Sequence, residues 1–357
     1  MKQSLFIFTL IGFITVTFGK TNSLFQHEGK SNGGDKIRFQ LETIPTNKSG
    51  EYTRFSLLNN GTTTEEGMPE LPMFTTSYQI DPRIEYSVEY SVVSSHIEEN
   101  VSIFPYQGNL IDPLSMEVSD RNLDFYSSDA SYPVENLIVS ERQVMRDIHL
   151  ITISVIPYSY NPELQQLEVF DEIEISVNEV GPTQNSDFEP RPKSRAFEKL
   201  YSNMVVNYDL DMLSSEYQQP AVLYVCGGSS ESNNSFEDLV EWRRQRGYIV
   251  YTASLSETGS STSSIKNYIT NAYNNYDPPP EFVSFVGDVG GSYDVPTYYE
   301  EWGHNTYGND CEGDQPYAQL DGSDLFPEVF VGRISVRSSS DLSTISSKII
   351  NYEKATY

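Results

Sequence analysis

Hydrophobic and polar residues alternate over much of the first half of the chain. The pattern is clearest in three runs, Ile84–Val93, His149–Tyr160 and Leu167–Val177. Clusters of Asn, Gly, Pro and Asp separate such runs, and no helical stripe of three turns occurs between about residues 36 and 180. Period-two alternation interrupted by turn residues is typical of short antiparallel strands. The pattern therefore predicts an all-β domain, either a sandwich or a related architecture.

From residue 219 onward, short apolar runs alternate with segments of helical period. The predicted strands are Ala221–Cys226, Tyr248–Ala253, Phe282–Val286 and Glu328–Ile334, and the predicted helices are Ser235–Arg246, Ser264–Tyr273 and Asp341–Tyr352. Ser235 is the predicted N-cap of the first helix, and Gly247 suits the position just after its end. This alternation favours parallel strands with right-handed crossovers, the opening half of a doubly wound α/β domain. We expect the domain to be truncated at the C-terminus, because four strands would leave one sheet edge uncovered.

A segment between these two regions has the composition of a linker. Residues 181–195 contain three prolines and small polar residues without apolar periodicity. Arg191, Lys193 and Arg195 make it the most basic part of the chain, so it is either a solvated hinge or a processing site for a basic-residue-directed peptidase. The predicted organisation is a signal peptide (1–19), a β-rich region (20–180), a linker and maturation region (181–218) and an α/β region (219–357).

The N-terminus has the pattern of a cleaved secretory signal. Lys2 precedes the uncharged apolar run Leu5–Phe18, and Thr17 and Gly19 supply small residues where a signal peptidase would cut. The alternative, a membrane anchor, is disfavoured because spanning a bilayer takes about 20 apolar residues. We expect a secreted or cell-surface protein without a membrane span.

Charge and cysteine content narrow the classes of function. The formal net charge of −28 excludes a nucleic-acid partner, since no basic face could displace phosphate counterions. The acidity is spread along the chain, which suits either solubility or calcium binding. The two cysteines, Cys226 and Cys311, do not make a disulfide scaffold, although they could form one bridge. Cys226 lies in an apolar run and is predicted to be a small buried side chain.

Two acidic segments are candidates for chemistry. Asp288 directly follows a predicted strand, where ligand sites of open α/β sheets gather. Asp321, Asp324 and Glu328 lie within eight residues around a glycine, a spacing compatible with a calcium loop or with a hydrogen-bonded turn. The spacing leaves both alternatives open.

Residues for nucleophilic catalysis are not evident. The histidines are His27, His96, His149 and His304. His304 and Cys311 are seven residues apart, but neither follows a predicted strand, so we interpret their proximity as coincidental rather than as a dyad. The chain contains no GxSxG, HExxH or Walker-type motif.

Several segments resemble gingipain-type cysteine peptidases. In the α/β region these are Phe285–Asp288, Gly313–Ala318, Asp321–Arg333, Asp238–Gly247 and Lys348–Lys354. In the remainder, those resembling the propeptide of the family are Gly67–Pro72, Met145–Arg146, Tyr158–Pro162 and Phe197–Tyr208. The segments occur in the family's order across nearly the whole chain after residue 19. The resemblance implies a caspase-like α/β domain, a cysteine–histidine dyad and bound calcium.

Matched position by position, the resemblance places calcium ligands on five residues. Asp288 would bind one ion, and a second would be held by the carbonyls of Asp321 and Phe326 with the side chains of Asp324 and Glu328. Asp321 and Phe326 differ in type from the family's residues, a change that backbone ligation tolerates. The family's catalytic histidine and cysteine have no counterpart before residue 357, so no catalytic residue is assigned and we expect these residues alone to be inactive.

The expected function is that of a secreted cysteine endopeptidase zymogen acting on proteins or peptides. Residues 20 to about 195 would serve as an intramolecular inhibitor and folding aid. Two alternatives remain: a sortase-like transpeptidase of the same family at the cell surface, and a non-catalytic calcium-binding surface protein. Substrate preference is not predicted, because the family's pocket is built mostly from later residues.

Overall fold

The computed structural model describes residues 24–31, 34–56, 61–108, 121–183, 190–209, 216–300 and 311–355. The predicted signal peptide and His304 lie outside these residues. None of the helices in the described ranges is both long and apolar enough to cross a membrane.

The first half of the molecule consists mainly of antiparallel strands. Its strands are β1 (Phe25–Ser31), β2 (Gly34–Gln40), β3 (Thr46–Ser49), β4 (Tyr52–Phe55), β5 (Gly61–Thr62), β6 (Pro72–Ile80), β7 (Ile84–Glu99), β8 (Leu137–Val139), β9 (Gln143–Met145), β10 (Ile148–Val155), β11 (Tyr158–Asn161) and β12 (Gln166–Pro182). Its helices are α1 (Leu123–Tyr126) and α2 (Arg195–Met204). One sheet has the order β1-β2-β12-β11 with β7 also paired to β12, and another has the order β5-β6-β10-β8 with β9 also paired to β10. The three alternating runs of the sequence are therefore confirmed as strands.

The core of this β-rich half lies between the two sheets. Alternate residues of β12, among them Ile173 and Ile175, are fully buried, as period-two patterning requires. Across the core, the ring centroids of Phe39 on β2 and Phe74 on β6 are 5.4 Å apart. Each such side chain contributes roughly 1.5–3 kcal/mol by its burial. The two sheets are thus joined mainly by hydrophobic packing.

The second half is an α/β unit. Its strands are β13 (Ala221–Cys226), β14 (Ile249–Ser254), β15 (Phe282–Val286), β16 (Tyr298–Glu300), β17 (Cys311–Gly313) and β18 (Phe330–Ile334), and its helices are α3 (Asn234–Gln245), α4 (Leu255–Thr258), α5 (Thr262–Asn275) and α6 (Ser339–Glu353). Four strands form a parallel sheet in the order β14-β13-β15-β18, whereas β16 and β17 form an antiparallel pair. The predicted N-cap of the first helix is wrong, because the Asn233 side chain accepts hydrogen bonds from the amides of Ser235 and Phe236.

Helices cover both faces of the parallel sheet. Val222, Tyr224 and Cys226 of β13 pack in a cluster with residues of α3 and α6. Leu223 and Val225, which point to the opposite face, pack with residues of α5. A strand buried on both faces reads as a continuous apolar run, which is why β13 was visible in the sequence.

A helix lies in the segment for which the sequence predicted a linker. α2 begins after Ser194, whose side chain accepts a hydrogen bond from the Phe197 amide. Phe197 and Tyr201 on α2 are completely buried, and the Phe197 ring centroid is 4.3 Å from that of Phe330 on β18. Their cluster also contains Met145 and other residues of the β-rich half. Residues 195–204 therefore form a helix that packs between the two halves, and the hinge and processing-site alternatives for residues 181–195 remain predictions.

Candidate functional site

The strand order reverses between β13 and β15, and the carboxyl ends of these two strands are called here the switch point. The chain passes from β13 outward to β14 and then returns to the other side of β13, and ligand sites of open α/β sheets lie where the order reverses. Gly227 and Gly287 end the two strands. A Cβ atom at Gly287 would lie 1.9 Å from the Tyr293 carbonyl oxygen, and one at Gly227 would lie 2.4 Å from the same oxygen. Only glycine allows the loop containing Tyr293 to pack this closely on the strand ends.

Asp288 lies at this switch point, as the sequence predicted from its place after a strand. Its amide donates to the Val336 carbonyl at 3.1 Å. Its carboxylate accepts hydrogen bonds from Ser335 Oγ at 2.8 Å and from Arg337 Nε at 2.6 Å. These two bonds lower the pKa of the Asp288 carboxyl. The group is therefore a charged carboxylate already shared with a cation, and a metal ion at Asp288 would have to displace Arg337 or share the carboxylate with it.

A second charged pair, which sequence reasoning missed, lies beside the switch point. The Arg333 guanidinium donates to both carboxylate oxygens of Asp314 at 2.8 Å. It also donates to the carbonyl oxygens of Gly287 and Val295, at 3.2 and 2.7 Å. Bidentate pairs of this kind hold both partners in one orientation. Only its place in a segment resembling the peptidase family marked Arg333 in the sequence.

The acidic loop, residues 320–328, precedes β18 and therefore lies at the opposite, amino end of the sheet. Glu328 is completely buried, and its Oε2 accepts hydrogen bonds from the amides of Leu320 at 2.5 Å and Asp321 at 3.1 Å. The Asp324 carboxylate accepts bonds from the amides of Phe326 and Val144, both at 2.8 Å. The loop therefore faces the β-rich half, and one of its carboxylates is bonded to β9.

One atom of this loop suits a cation. Among the described residues, Glu328 Oε1 is buried and has no hydrogen-bond partner. Burial raises the pKa of Glu328 to about 7, and the charges of Asp324 and Asp321 add to this effect. A cation would supply the missing partner and favour the charged carboxylate. In the described part of the chain, however, no three His, Cys, Asp or Glu side chains group as a metal site. A cation here would depend on backbone carbonyls beside Asp324 and Glu328, and the five predicted ligands remain a prediction.

The described cysteines and histidines lie in different halves of the fold: Cys226 ends β13 and Cys311 begins β17, whereas the described histidines lie in the β-rich half. Cys226 is a free thiol at the buried end of β13, and burial raises its pKa to about 12. Such a thiol is inert, in agreement with the predicted small buried side chain, and it is not part of a disulfide. His27, His96 and His149 lie on β1, β7 and β10 of the β-rich half. His27 Nε2 is hydrogen-bonded to the buried Asp35 at 2.7 Å, a structural contact within that half.

Comparison with known proteins identifies the two halves. Residues 35–213 match the family model of the C25 propeptide. Residues 215–357 match the model of peptidase family C25. The chain belongs to this family. The resemblance to gingipain-type peptidases is therefore confirmed, and the two parts are called below the propeptide (35–213) and the peptidase segment (215–357).

The relatives of this C25 chain include Gingipain R1 and Lys-gingipain. Gingipain R1 of Porphyromonas gingivalis is 28% identical over 300 residues, which are 81% of this chain and 28% of that protein. Lys-gingipain of P. gingivalis (strain ATCC 33277) is 26% identical over 358 residues, 94% of this chain and 20% of that protein. The chain thus spans less than a third of the length of either relative. A chain of the solved complex of P. gingivalis RgpB pro- and mature domains matches with 22% identity and a TM-score of 0.42. The match covers 53% of this chain and 100% of that chain.

Proposed function

We propose that the protein is a secreted cysteine endopeptidase zymogen in which the propeptide holds the peptidase segment inactive. The observation that carries this proposal is that the propeptide and peptidase matches adjoin, at residues 213 and 215, and that the two parts share a buried interface around Phe197 and Phe330. A propeptide bound through buried contacts can stay in place after the connecting chain is cut. Cleavage and release would then be separate steps of activation.

The proposed chemistry is thiolate attack on a peptide carbonyl. A histidine would assist the cysteine, and backbone N–H groups would hold the oxyanion. In keeping with the family resemblance, we place both catalytic residues in sequence that follows residue 357. The strand order β14-β13-β15-β18, with helices on both faces, is compatible with a caspase-like domain. Within that fold the described residues would contribute the switch point formed by Gly227, Gly287 and Asp288.

The experiment uses the gene product that contains this chain together with the sequence following it. It is assayed on a peptide library before and after activation, with and without iodoacetamide, and the N-terminus of the activated form is sequenced. We expect activity only after cleavage, complete loss on alkylation, and a new N-terminus following Arg191–Arg195 or residues 210–215. Alkylation-resistant activity would refute the cysteine mechanism. If peptides are joined rather than hydrolysed, the protein is the transpeptidase. If no peptide is turned over, it is the non-catalytic surface protein.

We also propose calcium as a structural ion, held by Asp324, Glu328 and the carbonyls of Asp321 and Phe326, with a second ion at Asp288. The unpartnered Oε1 of the buried Glu328 supports the first of these sites. Calcium takes six to eight oxygen ligands, including backbone carbonyls, so a loop of this composition is suitable.

Thermal unfolding in calcium and in chelator tests the proposal. A ligand that binds only the folded state at 100 times its Kd stabilises by about 2.7 kcal/mol, so we expect a clear rise in Tm with calcium. Glu328→Gln should abolish most of the rise. The matched control is Glu281→Gln, which alters another buried carboxyl of the peptidase segment and should preserve the rise. An equal response of both variants, or none in the unaltered chain, would refute the site.

A further inference from the structure

We infer that the peptidase segment carries a guanidinium-binding socket, formed by the backbone carbonyls of Pro279, Pro280 and Glu328, and that Arg146 of the propeptide occupies it as the anchor of the two parts. The inference goes beyond the proposed peptidase activity, because it concerns binding alone and would hold for an inactive scaffold. Its ligand class is an arginine side chain.

Arg146 lies at the tip of the turn between β9 and β10 and points away from its own sheet. Its side chain is inserted into the peptidase segment, and the residue is only 2% exposed. Its φ of +52° is in the left-handed region, which a residue with a long side chain seldom adopts. The contacts that Arg146 makes must offset both this conformation and the removal of its charge from water.

The hydrogen bonds of Arg146 explain how the charge is accommodated. Nη1 donates to the carbonyls of Glu328 at 2.8 Å and Pro280 at 3.0 Å. Nη2 donates to the Gln218 side-chain oxygen at 3.0 Å and to the Pro279 carbonyl at 3.4 Å. All four acceptors are neutral oxygens of the peptidase segment. They bind Nη1 and Nη2, whereas Nε has no hydrogen-bond partner among the described residues. Acceptors divided between two nitrogens suit the fixed fork of a guanidinium better than the compact ammonium of lysine.

Aromatic rings complete the socket on two sides. The Arg146 guanidinium carbon is 5.6 Å from the centroid of Tyr273 on α5 and 5.3 Å from that of Phe197 on α2. A cation within about 6 Å of a ring face is attracted by the ring's quadrupole, and the attraction is larger where water is excluded. The Tyr273 hydroxyl also donates to the Arg146 carbonyl at 3.2 Å. The backbone and the side chain of Arg146 are thus both held by the peptidase segment.

The socket does not depend on the propeptide for its acceptors. Pro279 and Pro280 lie just before β15, and Glu328 lies just before β18, so their positions are set by two neighbouring strands of the parallel sheet. Gln218 Nε2 donates to the Pro279 carbonyl at 2.9 Å and keeps its own oxygen turned toward Arg146. The acceptors should therefore remain in place when Arg146 is removed, ready to bind another guanidinium.

The test uses the full chain with one specific protease site introduced within residues 210–215. After the cut, the association of the two parts is measured by sedimentation velocity over a range of concentrations. Removing one partner of a buried, hydrogen-bonded charge typically weakens association by about 30-fold or more, and we expect this of Arg146→Ala. The control is Arg38→Ala, since Arg38 is half-exposed and pairs with Glu28 and Glu172 within the β-rich half. It should associate like the unaltered chain.

Chemical rescue distinguishes a guanidinium socket from a general packing contact. Methylguanidinium at millimolar concentration should restore the association of the cut Arg146→Ala chain in a saturable way, and methylammonium at the same concentration should not. Equal rescue by both cations, or rescue by neither, would overturn the socket. Unaltered association of Arg146→Ala would overturn the anchor role.

Two milder variants keep the proposal testable if Arg146→Ala does not fold. Arg146→Lys keeps the charge but lacks the planar fork, and it should still associate weakly. Gln218→Ala removes one acceptor that lies outside both hydrophobic cores, and it should weaken association by a smaller factor. If both variants associate like the unaltered chain, the proposal is wrong whatever the alanine variant does.

Discussion

The two ends of the parallel sheet are held in different ways. At the amino end, α2 packs against β18, with the ring centroids of Phe197 and Phe330 4.3 Å apart, and Arg146 is buried among carbonyl oxygens. At the carboxyl end, Asp288 is held by Ser335 and by Arg337, whose side chain is 70% exposed. The amino end is covered by buried contacts between the propeptide and the peptidase segment. The contacts of Asp288 at the carboxyl end are polar and lie within the peptidase segment.

The two ends of the sheet therefore differ in how firmly they can hold a partner. Buried apolar and hydrogen-bonded contacts give a strong attachment, because water cannot replace them. Exposed ion pairs contribute little and exchange readily with other charged groups. The amino end therefore suits stable docking of the propeptide, whereas the exposed Asp288–Arg337 pair at the carboxyl end can exchange partners.

The largest effect is expected at the amino end, for Phe197→Ala. The side chain is completely buried between the two halves, so its loss should reduce the free energy of unfolding by about 3–5 kcal/mol. Urea unfolding followed by far-ultraviolet circular dichroism measures the change. The control, Leu164→Ala, removes a side chain that is 58% exposed and should stay within about 0.5 kcal/mol of the unaltered chain. Similar values for the two variants would contradict a packed amino end.

An intermediate, pH-dependent effect is expected at Asp147, next to the anchor. Burial raises the pKa of Asp147 to about 6 from an ordinary value of 3.8, although the hydrogen bond from Tyr201 and the charge of Arg146 act in the opposite direction. Between about pH 4 and 6 the folded chain thus keeps a proton that the unfolded chain has released. The free energy of unfolding should fall as the pH rises through this window, by at most about 3 kcal/mol.

Asp147→Asn isolates this contribution. Urea unfolding of both chains at several pH values should show a difference that changes between about pH 4 and 6 and is constant above that window. The control, Asp129→Asn, changes an exposed carboxyl and should follow the unaltered chain at every pH. A constant difference between Asp147→Asn and the unaltered chain would show that burial does not perturb this carboxyl.

The smallest effect is expected at the carboxyl end, for Arg337→Ala. Because Arg337 is mostly exposed, its loss should leave the urea midpoint within replicate error. The pKa of Asp288 should rise toward its ordinary value, since the bond from Arg337 contributes to lowering it. Carboxyl chemical shifts over a pH titration measure this change. A loss of stability comparable to that of Phe197→Ala would remove the contrast between the two ends.

Local sequence patterns predicted the bounds of strands best where both faces of the strand are buried. The predicted bounds of Ala221–Cys226 and Phe282–Val286 agree with β13 and β15, because both strands are enclosed by helices and form unbroken apolar runs. The N-cap of α3 was misassigned by two residues because the run Asn233-Asn234-Ser235 offers three good capping side chains. α2 was missed because only Phe197 and Tyr201, one turn apart, show its buried face.

The sequence by itself determined the family, the change from period-two to helical patterning near residue 200, and most strands of the parallel sheet. Those properties depend on residues that are near neighbours in the chain. Only the tertiary structure decided that Arg146 meets Pro279, Pro280 and Glu328, which are more than 130 residues away. The same is true of Asp324 and the Val144 amide. A buried charge is stable only where distant backbone acceptors converge on it, and no local pattern records where the chain will bring them together.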